Sequence, residues 1–342
     1  MSFKPYMFTI YLLCVMVISG IIKDKNLFIP LYNKILDNIK SKKLLIFLIS
    51  CIGGVLPIPG RVVVSAGILD TMVDRTKTKK RSKFGIVDFL STHHYYWWSP
   101  LEKTVIIPMA ALGLTYLQYM SYAWLPLLIS LLFAFYYIFI VLKEDDVYIN
   151  KLDSDQNNST FLAITPIIVS IILLCYSVEP QYIFPFTLLY YMIYCKEWNL
   201  RKLNNYINWK LILLTIGIIF TSELVSSKNT ELINYLKSLT VSLNIHTLIG
   251  FTVISIIAFT ITFVLGSSAK YAGVVAILTS LFGLKYFTYF MTLEFFAYLI
   301  SPTHKCVLIS SFYFDTPIKE YYKILFFWGL TLLIFGIGTI II

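Results

Sequence analysis

The sequence predicts an all-α membrane protein: a polytopic helical bundle with two re-entrant or broken-helix hairpins related as an inverted repeat. Three observations predict it. Apolar residues make up 58% of the 342 and charged residues only 13%, whereas soluble domains run near half apolar and a quarter charged. The apolar residues come in continuous runs such as ILLTIGIIF and FFWGLTLLIFGIGTIII, not in the alternation of an outer-membrane barrel. Proline-containing polar breaks interrupt two of the runs, at corresponding places in the chain.

A spanning helix needs roughly 20 apolar residues. Segments 6–22, 104–120, 124–142, 160–178, 209–226, 248–266 and 321–342 meet this, and 180–195 is a weaker candidate with Pro185 near its start. The first run follows Lys4 but lacks a small-x-small cleavage site, so it is expected to be a retained helix rather than a signal peptide. Segments 44–73 and 286–314 are apolar but broken near the middle by Pro and Gly. Segments 28–41 and 229–246 mix apolar and charged residues at helical spacing and suit the membrane surface.

The formal net charge of +10 sits in short stretches between apolar runs, which marks a cytoplasmic face rather than a nucleic-acid-binding surface. The strongest marker is RTKTKKRSK (75–83), with six basic residues. Basic residues at 34–43 and 75–83 flank segment 44–73 on both sides, so that segment is expected to dip in and return on one face. The five cysteines show no CxxC pairing and are read as packing residues, with no metal or cofactor site expected. His93 and His94 adjoin YYWW, which reads as an aromatic belt at the membrane interface.

Offsetting the chain by the 245 residues from Pro57 to Pro302 lays PIPGRVVVSAGILDT (57–71) on PTHKCVLISSFYFDT (302–316), with five identities in fifteen. The same offset lays 6–22 over 251–267. Matched interruptions of this kind point to the binding site of an inverted-repeat secondary transporter. Unwound backbone at depth must face protein or a water-filled cavity, where it can meet an ion or an anionic group. The expected organisation is a first repeat over 1–123 with hairpin 44–73, then a linker helix and second repeat over 124–342 with hairpin 286–314. An inverted repeat needs an odd number of crossings between 120 and 250, and four candidates are counted there. Either 229–246 crosses or re-enters, or one of 160–178 and 180–195 does not span.

GGVLPIPGRVVVSAGILD resembles the Gly-Leu-Leu-Pro-Met-Pro-Gly-Gly-Ala…Ser-Ala-Pro stretch of an uncharacterised prokaryotic family, gluconate-permease-like and placed in the ion-transporter superfamily. YYWWSPLEK (95–103) and AYLISPTHKCVLISSFYF (297–314) resemble two further motifs of that family. Arg61 stands where the family has the second Gly of Pro-Gly-Gly, Gly67 replaces a Pro, and Ser99–Pro100 replace Arg-His. Only one helix precedes the first motif, so the first repeat is expected to be shortened. The resemblance implies a multi-pass protein of a prokaryotic cytoplasmic (inner) membrane.

The candidate solute- and ion-binding residues are Pro57, Pro59, Gly60, Arg61 and Ser65 at the first break, and Ser301, Pro302, Thr303, His304, Ser310 and Ser311 at the second. Arg61 can hold a carboxylate bidentately or reach a lipid headgroup. Glu294 and His304 are the proton-coupling candidates, since an intramembrane carboxylate is a functional residue by default and His titrates near neutrality. The plain alternative for Glu294 is a structural bond to Lys285, His304 or a hydroxyl, and for the Ser and Thr residues it is bonding to helix carbonyls. The resulting expectation is a carrier of a small anionic solute coupled to H+ or Na+, embedded in lipid, with a homodimer as a candidate assembly. The competing readings are a membrane-embedded enzyme using His93, His94, Glu102 or Arg61, and a non-transporting assembly protein. No GxSxG, HExxH or GxxxxGK[ST] motif is present.

Overall fold

The computed structural model describes residues 5–25, 27, 29–55, 81–142, 160–207, 209–210, 212–213, 216–217 and 248–341. Their regular structure is helical. The helices are α1 (Pro5–Asp24), α2 (Ile29–Asn38), α3 (Lys42–Val55), α4 (Arg81–Thr92), α5 (Lys103–Leu112), α6 (Tyr116–Tyr136, prolonged by a π turn Tyr137–Val141), α7 (Thr160–Cys175), α8 (Pro180–Tyr194) and α9 (Leu200–Asn205). After residue 247 come α10 (Leu248–Leu265), α11 (Ser268–Phe282), α12 (Phe287–Leu299), α13 (Lys305–Tyr313) and α14 (Ile318–Ile341).

Among the described residues, Tyr116–Val141, Leu248–Leu265 and Ile318–Ile341 are long and apolar enough to cross a membrane. Their outer faces carry large apolar side chains in the open, such as Ile249, Val253, Ile256 and Val264 on α10. A water-facing surface would not tolerate a stripe of that length, so these faces meet lipid. Inward, α12 runs against α14 over most of its length. Gly329 and Gly336 let α14 approach, because a Cβ on either would collide with Phe296 or Thr292. Small residues at such seams allow the close packing that associates helices in lipid.

Two segments differ from the sequence expectation. The run 104–120 is two helices, because Gly113 takes φ +66 and ends α5. Thr115 then starts α6 with a capping box completed by Gln118. Residues 81–92, left outside the expected spans, form α4, which is buried between α3 and α13. The crossing count at 160–195 gains one fact. The described part of α7, Thr160–Cys175, has 16 residues, about 24 Å at 1.5 Å per residue, and residues 143–159 before it lie outside the described residues.

Segment 44–73 is described only as far as α3, and Pro57, Pro59, Gly60, Arg61 and Ser65 lie outside the described residues, as does all of 229–246. The flanks of that segment are informative. Lys43 Nζ donates to Phe139 O at 3.0 Å and Lys83 Nζ donates to Val141 O at 3.0 Å. Both lysines thus meet the carbonyl end of the same helix, where cations are favoured by the exposed C=O groups. The chain leaves that end at α3 and is back at it by α4.

Beyond the apolar run of α1, Lys202 bonds Asp24 at 2.6 Å and Glu197 at 2.9 Å, and Lys25 lies 3.3 Å from Glu197. The Lys202 hydrogen bond holds both carboxyls below their ordinary values. Such groups add stability above the usual carboxylate range, about pH 4, and that stability is lost as pH falls through the depressed values. Solvent screens the pairs, so the effect is small and salt-sensitive. Amide-exchange protection of α9, corrected for intrinsic rates, is expected to fall below about pH 3.5 and to become pH-insensitive there in Lys202→Met.

Gly266, between α10 and α11, has φ +52, and a Cβ there would strike the Thr303 and Ser301 hydroxyls. Gly113 shares the left-handed conformation but faces open space. Left-handed backbone costs a non-glycine residue about 1–2 kcal/mol. Gly113→Ala is therefore expected to show that loss alone. Gly266→Ala is expected to lose more, because the displaced hydroxyls must abandon their bonds, and thermal melts in detergent check the order.

Candidate functional site: a buried meeting of broken helices

The second expected hairpin is broken where its proline stands. Helix α12 stops at Leu299, residues 300–304 are non-helical, and α13 starts at Lys305. The break lies against the α10–α11 junction. Ser301 Oγ donates to Phe263 O at 2.6 Å and Thr303 Oγ1 to Val264 O at 3.4 Å, while the two hydroxyls stand 3.0 Å apart. Tyr322 on α14 donates to Ser301 O at 2.9 Å. These hydroxyls meet carbonyls that the end of α10 leaves without helical partners. Pro302 sits exposed beside them in the turn. Ser310 bridges Gly85 O at 3.2 Å and Tyr321 Oη at 2.7 Å, and Ser311 donates to Thr316 O at 2.6 Å. The four hydroxyls thus satisfy backbone and join helices, and Ser310 ties α13 to α4.

His304 is fully buried. Its ring lies 4.0 Å from Tyr298, 5.4 Å from Phe89 and 5.6 Å from His93, centroid to centroid. His93 stacks on Phe89 at 3.7 Å and directs Nδ1 to Phe89 O at 2.7 Å. Tyr96 and Tyr298 share a hydroxyl contact at 3.0 Å. His304 and Ser310 thus lie on the same seam against α4, and the Ser301–Thr303 pair turns to α10.

The YYWW segment corrects the interface-belt expectation. His93 through Trp97 form a tight 3₁₀ turn that is buried throughout, with Trp97 at 1% exposure. Its released backbone is met from three directions: Thr104 donates to Tyr96 O at 3.0 Å, Tyr116 to Trp98 O at 2.7 Å, and Tyr11 to Pro100 O. Trp97 Nε1 donates to Ser130 at 2.8 Å. His94 turns elsewhere, stacking on Trp98 and accepting from its Nε1 at 2.8 Å. This is a further break, marked in the sequence only by Pro100 and by the family-like motif.

Glu294 is fully buried on α12 and accepts a hydrogen bond from Thr262 of α10 through Oε2. Its Oε1 has no hydrogen-bond partner among the described residues. Of the structural partners named for it, a hydroxyl is the one it meets. A second buried carboxylate escaped the sequence reading. Asp88 on α4 is fully buried and accepts from Ser50 of α3 at 2.8 Å. The one signal for it was a lone acidic residue in the apolar stretch GIVDFL. A cavity of about 810 Å³ lies elsewhere, between α10, α12 and α14, and neither Glu294 nor His304 lines it.

A helical bundle with lipid-facing spans and buried helix breaks is the architecture of an integral membrane protein. The family described as citrate transporter matches residues 6–298. The chain belongs to this citrate transporter family and is a secondary transporter of a small solute. No curated protein matches it.

The Thr262–Glu294 bond can be measured. Removing a donor from a buried polar group costs about 1–3 kcal/mol. Thr262→Val is expected to lose that much in detergent-solubilised stability, whereas Thr260→Val, whose hydroxyl at an exposed position bonds only to Ile256 O, is expected to lose little.

Proposed function

We propose that the chain carries a small carboxylate anion across the membrane, coupled to H+ or Na+, with Glu294 as the coupling group and Arg61 as an anion contact. The observation that carries this reading is Glu294. It is a fully buried carboxylate, one hydroxyl is its hydrogen-bond partner, and it lies on the helix that ends at the second break. Such a residue can hold its charge at depth only in company with a cation or a proton. Family membership supports a di- or tricarboxylate as cargo, and the gluconate-permease-like motifs point to the same hydroxycarboxylate chemistry. Arg61 belongs to the first matched break and brings five fixed donors suited to a carboxylate.

The inverted repeat gains support from the element order. Offset by the 245 residues between Pro57 and Pro302, α12 (Phe287–Leu299) falls on α3 (Lys42–Val55), and α10 falls on α1. The return of the chain to one end of α6 supports a re-entrant first hairpin. The basic stretches 34–43 and 75–83 support a cytoplasmic side for that end, which fits a multi-pass protein of a prokaryotic inner membrane. Homodimerisation is part of the proposal, and the exposed apolar side chains on α7, α8 and α10 are candidate surfaces for it. Transport rather than catalysis is supported by the family and by the use of His94 and the Ser and Thr hydroxyls in structural bonds.

Proteoliposome flux with a panel of carboxylates tests this. The wild-type chain is expected to move citrate or a related hydroxycarboxylate, faster with an inward proton or sodium gradient. Glu294→Gln is expected to remove the gradient dependence and lower flux about tenfold or more. Arg61→Ala is expected to raise KM for the anion. Unchanged flux in both variants would sink the assignment.

A further inference from the structure

We propose that His93, His304 and Cys306 form a site for a zinc-type divalent cation, which fastens α13 to the turn that follows α4. One ring nitrogen of each histidine and Cys306 Sγ lie within 4.8 Å of one another. No other group of three metal-ligating side chains this close occurs among the described residues. His93 is distant in sequence from the other two: it follows α4, whereas His304 and Cys306 open α13 after the 300–304 break.

The donor chemistry selects the ion. Two imidazoles and a thiolate suit Zn2+, or Co2+ in its place, whereas Mg2+ and Ca2+ take oxygen ligands. The ring orientations fit as well. His93 Nδ1 is turned to Phe89 O at 2.7 Å and His304 Nδ1 to Leu299 O at 3.4 Å. A backbone carbonyl that takes the Nδ1 proton leaves the lone pair on Nε2, the arrangement found behind most metal-bound histidines. His304 Nε2 is buried and has no hydrogen-bond partner among the described residues. His94, though adjacent, is not part of the cluster, because its Nδ1 accepts from Trp98.

Ligand atoms of a tetrahedral zinc stand about 3.3–3.6 Å apart at ordinary bond lengths. The three donors must therefore close by roughly 1 Å, which Cys306 can supply because its half-buried side chain sits on the first turn of α13. The thiol proton leaves to water as the metal–sulfur bond forms. The fourth position is left for water.

The test uses Co2+ with the purified full-length chain in detergent. Expected is one bound Co2+ per chain with a thiolate-to-cobalt charge-transfer band, displaced by Zn2+. Cys306→Ser, close in size to the original, is expected to abolish the band while leaving the metal-free melting midpoint in place. His93→Gln and His304→Gln are expected to weaken binding about tenfold or more. His94→Ala and Cys195→Ser are expected to bind as wild type. Absence of the band in folded wild-type protein would overturn the proposal. So would a band that survives Cys306→Ser or the His93→Gln/His304→Gln pair.

Discussion

Hydrocarbon offers no hydrogen bonds, so every amide and carbonyl released by a broken helix must be met by the protein itself. This constraint organises the centre of the molecule. The 93–102 break is held by hydroxyls from Tyr11, Thr104 and Tyr116, which come from three different helices. The 300–304 break and the α10–α11 junction answer one another, with Ser301 and Thr303 supplying donors to the end of α10. Neither arrangement would survive at a lipid-facing position. The breaks are therefore buried together, and burying them together is what gathers His93, His304 and Tyr298 into one aromatic cluster.

The two carboxylates follow a common pattern. Asp88 on α4 accepts from Ser50 of α3, and Glu294 on α12 accepts from Thr262 of α10. A single neutral hydroxyl contributes about 1 kcal/mol net, far less than a charge loses on leaving water. For Glu294, whose Oε1 has no hydrogen-bond partner among the described residues, the bond from Thr262 leaves most of that cost uncovered. Both differ from the carboxylates paired with Lys202, which hold α9 against the end of α1.

The fold class was legible because it rests on solvent. Long apolar runs with few charges read directly as lipid-facing helices, and α10 and α14 lie within three residues of where hydropathy puts them. The second break was legible because proline removes a donor and halts a helix on its own account. The division of 104–120 was missed because Gly113 and Thr115 act through a left-handed turn and a capping box, which leave the hydropathy of the run unchanged. Helix α4 was missed because RSKFGIVDFLST carries too many polar residues for a span. It is buried by protein rather than lipid, and a hydropathy threshold recognises only lipid. The hydroxyls of Ser301, Thr303, Ser310 and Ser311 were found at the right break, but which carbonyl each would meet depends on neighbours more than thirty residues away, or on a turn that sequence does not specify.

Helix α4 touches both α3 and α13. Asp88 on it faces Ser50 of α3, and the next residue, Phe89, stacks on His93 and meets His304 and Tyr321 edge-on. Three residues before Asp88, Gly85 leaves room for the Tyr321 hydroxyl and gives its carbonyl to Ser310 of α13. A rigid helix with such contacts cannot shift against α3 without disturbing the seam to α13 and α14. Coupling between sites requires an element whose position both of them bias. In this fold α4 meets that requirement by direct contact, since its carboxylate accepts from α3 and its aromatic face lies against His304 at the 300–304 break.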